Sequence, residues 1–239
     1  IKSDLDRVLD YLNKITPPRI VDKETGEAVK SMKNIDASSV FEKGDFGIAT
    51  YEWGVTYSGM LKVTKITGDE RYANYTYERM KLLGESYPYF KKVQEETGTS
   101  GLRGLITPKW LDDCGSMGAA MMKTSMVFPD VAESLRPVIN NAFDFVMYKE
   151  YRLYNRILAR LRPVENSVWL DDMYMGITPI AYMAKMLENE DAGKAKTYYD
   201  EAILQIELFK KLLWLPEKNL FRHGWIEKME EHPSFLWGR

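Results

Sequence analysis

The sequence predicts an all-α protein of stacked helical hairpins, on three observations. Apolar residues recur at helical spacing along most of the chain. Almost no segment alternates with period two, which confines strands to loops. A two-helix unit also repeats, seen when segments opening at Glu52-Trp-Gly-Val, Asp112-Asp-Cys-Gly and Asp171-Asp-Met-Tyr are stacked. Trp53 and Asp113 are 60 residues apart, and Asp113 and Asp171 are 58 apart. Each segment starts a helix rich in Gly, Ala, Ser and Met, followed by a bulkier and more polar one, the pattern of a hairpin array.

Taken in order, residues 4–15 place Leu5, Val8, Leu9, Leu12 and Ile15 on one stripe, and Pro17-Pro18 ends it. Residues 19–47 are polar and turn-rich and read as a long ordered loop or short hairpin. A second helix spans about 50–66 and closes at Gly68. Asp69 caps the next, which carries Tyr72, Tyr75, Met80 and Leu83 toward an expected break near Pro88. After a Gly-rich stretch over 97–104, helices are expected at 111–126, at 130–151 with Asp130 as cap, at 169–187 and at 192–214, with Pro216 ending the last. Small residues let the inner helices approach closely. The alternate helices carry charged faces such as Asp191, Lys194, Lys196 and Asp200. Because each inner helix starts with aromatic and acidic residues, closure into a toroid would gather those starts into one aromatic- and carboxylate-lined bowl.

Composition narrows the function. Among 239 residues, 33 Lys and Arg stand against 35 Asp and Glu, with no long run of one sign, so a nucleic-acid face is not expected. No apolar run reaches the roughly 18–20 residues that span a bilayer. The single Cys114 excludes an internal disulfide and a Cys-based zinc cluster. With only His223 and His232, no metal site and no cofactor are expected. Chemistry therefore rests on carboxylates, aromatics and arginine. The chain starts at Ile1 without Met, read as a processed or trimmed end, which favours a periplasmic location with a cytoplasmic one as the alternative.

Two doublets stand out, Asp112-Asp113 after Trp110-Leu111 and Asp171-Asp172 after Trp169-Leu170. Each alone reads as a helix cap set against the macrodipole. Their equivalent places in the repeat raise a second reading, in which carboxylates in unlike settings share a pocket and divide acid and base roles. Trp53, Tyr57, Trp169, Trp225 and Trp237 offer flat faces for sugar rings, or ordinary core packing. Arg239, two residues after Trp237, suits a substrate carboxylate.

Taken together, Trp169-Leu-Asp171-Asp-Met-Tyr-Met175, Leu111-Asp-Asp-Cys-Gly115, Arg222-His-Gly-Trp225 and Trp237-Gly-Arg239 resemble the unsaturated glycuronyl hydrolases. The likeness is strongest to the unsaturated rhamnogalacturonyl hydrolases of glycoside hydrolase family 105, related to family 88. It covers essentially the whole chain and implies an (α/α)6 toroid. Residues 1–239 would form a single all-α catalytic domain, the N-terminal two thirds of that barrel. The sequence stops within the Trp-Gly-Arg motif, an expected truncation.

The resemblance implies hydration of the C4=C5 double bond in an unsaturated uronyl oligosaccharide, without metal or cofactor. By motif position Asp171 is the acid/base and Asp113 its partner, with Asp112 less favoured because it sits one residue early. His223, Trp237 and Arg239 would bind the uronate, and Trp53, Tyr57, Asp112, Trp169 and Trp225 would complete the pocket. Two alternatives stand beside it: an inverting glycosidase on the same fold, with carboxylates ~6.5–9.5 Å apart, and a non-catalytic helical-repeat binding module.

Overall fold

Helical periodicity and terminal signals account for eight α-helices among the residues described in a computed structural model, 1–43 and 47–228. They are α1 (Lys2–Ile15), α2 (Tyr51–Thr67), α3 (Glu70–Thr97), α4 (Arg103–Ile106), α5 (Leu111–Val127), α6 (Ala132–Asp144), α7 (Leu170–Leu187) and α8 (Ala192–Leu213). Gly68 closes α2 in the left-handed region, at φ 71°. Asp69 caps α3 by accepting the Arg71 amide, and Asp191 caps α8 by accepting that of Lys194.

Two expectations are corrected. Pro88 does not break α3, which runs through it to Thr97. Leu83, Tyr87, Phe90 and Val93 bury their side chains on both sides of the proline, and that packing outweighs the lost hydrogen bond. Asp130 does not cap α6 either. Pro129 opens a 3₁₀ turn first, and the Asp130 carboxylate instead accepts the Tyr77 hydroxyl at 2.7 Å. The helix then passes into a π turn over Phe145–Lys149 rather than continuing to residue 151.

The helices form two rows. In the inner row α2 packs on α5 and α5 on α7; in the outer row α3 packs on α6, while α8 packs on α7. Glycine sets the inner spacing. A Cβ on Gly54 of α2 would lie 2.4 Å from the Ser116 carbonyl carbon of α5. One on Gly115 of α5 would lie 2.1 Å from the Met175 carbonyl oxygen of α7. The core between the rows is aromatic and sulfur-rich, with Tyr57, Tyr72, Tyr75, Phe90, Met117, Met121 and Met122 almost fully buried. Arg79 is buried there too, stacked 3.6 Å from the Tyr75 ring centroid and donating to the Thr16 carbonyl at 2.7 Å.

Among the described residues strands occur only in the connections. β1 (Ile20–Asp22) pairs antiparallel with β2 (Ser39–Phe41), giving the 19–47 segment its hairpin. β3 (Ser167–Trp169) leads into α7 and pairs with β6 (Gly224–Ile226), while β4 (Trp214–Leu215) pairs with β5 (Leu220–Phe221). Among the described residues no helix is long and apolar enough to cross a membrane.

Gly115→Ala drives a methyl group into the α7 backbone and is expected to lower stability by about 1–3 kcal/mol or more in urea titration. Gly59→Ala, on the exposed face of α2 with nothing within 4 Å, should leave stability unchanged or raise it by about 1 kcal/mol. Equal effects at both positions would mean that the close approach of α5 and α7 is not what Gly115 serves.

Candidate active site

The first turns of all three inner helices border open cavities at one end of the row. One, of about 770 Å3, is lined by Tyr51 and Glu52 of α2, by Trp110, Asp112 and Asp113 at the start of α5, and by Val40 and Phe41 of the β1–β2 hairpin. The second, of about 840 Å3, is lined by Leu170, Asp171 and Tyr174 of α7 and shares Tyr51 and Glu52 with the first. Asp112 and Asp113 therefore border one space and Asp171 its neighbour, with one wall shared.

Within each doublet the carboxylates divide their work. Asp112 holds Arg160, whose Nη1 and Nη2 donate to its two oxygens at 3.0 and 3.2 Å. Asp172, fully buried, grips the other edge of the same guanidinium, from Nε at 2.8 Å and Nη2 at 2.6 Å. Arg160 thus ties α5 to α7, and its guanidinium carbon lies 5.0 Å from the Trp169 ring centroid. Burial, opposed by Arg160, pushes the Asp172 carboxyl up to about 6. Burial also works against the Arg160 charge, but Asp172 and Asp112 hold its pKa above the ordinary value. Asp113 accepts the Lys109 amide at 2.8 Å, a bond that orders the entry to α5.

Asp171 is placed by a tertiary contact. The β3–β6 ladder pairs Trp169 with Gly224, and the Leu170 amide donates to the His223 carbonyl at 2.8 Å. This sets the His223 Nε2 3.4 Å from Asp171 Oδ2, with the two side chains only 6% and 12% exposed. The Trp169 ring stands edge-on to the imidazole, centroids 5.1 Å apart, and its Nε1 donates to the Ser167 hydroxyl at 2.9 Å. Asp171, Trp169 and His223, 54 residues apart in the chain at the widest, thus form one apolar-walled corner.

A family model for Glycosyl Hydrolase Family 88 matches residues 20–239. The chain belongs to this family. Its helices are part of the all-α six-hairpin toroid, incomplete over this length. The family 88 chain is similar to two structures titled possible members of glycoside hydrolase family 105. For that from Salmonella enterica serovar Paratyphi A, 97% of this chain aligns with 52% of the other at 18% identity and a TM-score of 0.60. For that from Klebsiella pneumoniae, 97% aligns with 53% at 18% identity and a TM-score of 0.59. A family 105 glycoside hydrolase from C. acetobutylicum matches 75% of this chain and 44% of its own at 20% identity and a TM-score of 0.50. The chain spans about half the length of these structures. No curated protein matches it.

Other expected residues of this family 88 chain fall differently. Trp53 and Tyr57 stand in the core at 6% and 1% exposure rather than in the walls of the two cavities. Their spacing of four puts them on one face of α2, against Tyr75 of α3, and the Tyr57 hydroxyl donates to the Ile48 carbonyl at 2.8 Å. Trp225 is partly buried and packs against the core from β6. Trp237 and Arg239 lie outside the described residues.

Glu52, Arg160 and Glu150 are the additions. Glu52 had a signal in the sequence, since it opens its repeat as Asp112 and Asp171 open theirs. Arg160 and Glu150 sit in the irregular segment between the π turn and β3, where no periodicity marks them. Glu150 is half-buried, its Oε2 is shielded from solvent without a hydrogen-bond partner, and burial raises its carboxyl to about 7 from an ordinary 4.5.

The folded state therefore keeps the Glu150 proton between about pH 4.5 and 7 while the unfolded chain releases it, so this group makes stability fall as pH rises through that window. Glu150→Gln removes the titration. In urea unfolding the variant should match wild type at low pH and exceed it by a few kcal/mol at most above pH 7. A difference independent of pH would show that Glu150 ionises as freely as in the unfolded chain.

Proposed function

We propose that this glycoside hydrolase removes a 4,5-unsaturated uronic acid from the non-reducing end of an oligosaccharide, with Asp171 as the acid/base. The observation that carries the reading is the corner of Asp171, His223 and Trp169 built by the β3–β6 ladder at the mouth shared by the inner helices. It gives one carboxyl an apolar wall, an imidazole neighbour and an adjoining cavity large enough for a sugar ring.

Asp171 donates a proton to C4 of the vinyl ether, and the electron pair of the double bond forms the new C4–H bond. The cation left at C5 is shared with the ring oxygen. Water, relieved of a proton by the Asp171 carboxylate, adds at C5 and gives a hemiketal. Its opening makes a C5 ketone and leaves the ring oxygen as a hydroxyl on C1, and that hemiacetal expels the saturated sugar. One water is consumed and no electrons are transferred. His223 sits where it can hold Asp171 in orientation and meet the uronate carboxylate, and the edge of Trp169 confines both. Asp113 is the proposed partner of Asp171, with its free oxygen available to water or a sugar hydroxyl while the other takes the Lys109 amide. Asp112 is the support of Arg160. Trp237 and Arg239 keep their proposed place at the uronate.

Asp171→Asn retains shape but loses the proton donor. It should cut the rate at which the enzyme bleaches the ultraviolet absorbance of an unsaturated disaccharide by roughly 10²–10⁴-fold or more. Turnover near wild type would remove Asp171 from the reaction. Cleavage of saturated glycosides, with the unsaturated ones untouched, would move the assignment to an inverting glycosidase.

A further inference from the structure

A third cavity, of about 300 Å3, lies beside the first and shares Trp110 with it. Its walls combine Lys109, Lys149, Arg160 and Arg162 with Glu150 and Tyr151. We propose that this cavity binds a second anionic sugar of the substrate, one that bears a carboxylate or sulfate and lies beyond the ring that reacts. The inference rests on the reading of the neighbouring site as one that opens unsaturated uronides, and it assigns the rest of the substrate to the acidic oligosaccharides.

Charge and geometry both favour an anion. Arg160 is committed to Asp112 and Asp172 through Nε, Nη1 and Nη2, so it fixes the wall. Lys109, Lys149 and Arg162 are exposed and make no ion pair among the described residues, leaving three cations on one small rim. The only carboxyl among the lining residues is Glu150, whose Oε2 is buried without a hydrogen-bond partner while Oε1 accepts the Tyr151 amide at 3.0 Å. Burial raises that carboxyl to about 7, so below neutral pH it keeps its proton and is a donor rather than a repelling charge.

The walls also suit a sugar. Trp110 is 36% exposed and lines both cavities. Tyr151 is anchored by its hydroxyl, which donates to Asn166 Oδ1 at 2.6 Å. The segment carrying these groups is pinned to α8, because Arg152 and Arg156 both donate to Glu201, at 2.6 and 2.8 Å, and the Leu158 amide donates to Gln205 Oε1 at 3.0 Å. A cationic, aromatic-walled recess beside the cavity bordered by Asp113 is what recognition of a charged neighbouring sugar needs.

Calorimetric titration of saturated digalacturonate, of its methyl diester and of galactose 6-sulfate into this chain at low salt tests the proposal. Digalacturonate should bind and the diester should not. Binding of galactose 6-sulfate in addition assigns the recess to anionic sugars of either kind; without it, the recess is specific for carboxylates. The surface double variant Lys149→Ala/Arg162→Ala should weaken digalacturonate roughly tenfold or more, and added salt should weaken the wild-type complex. Lys92→Ala, at an exposed lysine of α3 outside the recess, should bind digalacturonate as wild type does. Equal affinity for acid and diester, unchanged affinity in the double variant, or no binding to wild type would each overturn the proposal. Failure of the hydrolase reading shows separately, as turnover by Asp171→Asn.

Discussion

The close approach of α5 to α7 is the constraint on which the rest of this structure depends. At Gly115 the two backbones meet with no room for a side chain, and a Cβ there would fall 2.1 Å from the Met175 carbonyl oxygen. That contact brings the first turns of the helices near enough for Asp112 and Asp172 to share one guanidinium. A charge as buried as Asp172 would be costly alone, and Arg160 both neutralises it and satisfies its oxygens. The bridge in turn fixes the irregular segment before β3, and with it the entry to α7.

Next to this ionic bridge stands a corner of different character. Asp171 is adjacent in sequence to Asp172, yet its side chain turns toward His223 and Trp169 rather than toward Arg160. Successive residues of a helix point about 100° apart, so one doublet serves two purposes: Asp172 locks the scaffold and Asp171 is presented to the cavity. The other doublet divides in the same way, with Asp112 on Arg160 and Asp113 on the Lys109 amide at the edge of the open space. Neither doublet caps its helix: the N-cap positions belong to Trp110 and Trp169, which make no side-chain cap bond, and the four aspartates stand in the first turns, where the macrodipole favours them.

Much of this was legible in the sequence. Periodicity and terminal residues placed α2, α5, α7 and α8 to within a residue or two, and the stacked repeat identified the row whose starts share one mouth. The failures have physical causes. Pro88 and Asp130 are local signals overruled by their surroundings, by aromatic packing along α3 and by the turn that Pro129 begins. Trp53 and Tyr57 fitted a pocket as well as a core, and only the contact with Tyr75 decides between them. The ladder that joins His223 to Asp171 is three residues long on each side, too short to show a period of two. Arg160 gave no sign at all, because its importance comes from two helices that meet around it.

The role of Asp171 depends on where the double bond lies relative to that residue. A crystal structure of the Asp171→Asn enzyme with an unsaturated disaccharide measures this directly. C4 is expected within ~3.5 Å of the residue 171 side chain, with the uronate carboxylate on the His223 side. A sugar seated with its double bond away from α7, or bound outside the shared mouth of the inner helices, would contradict it.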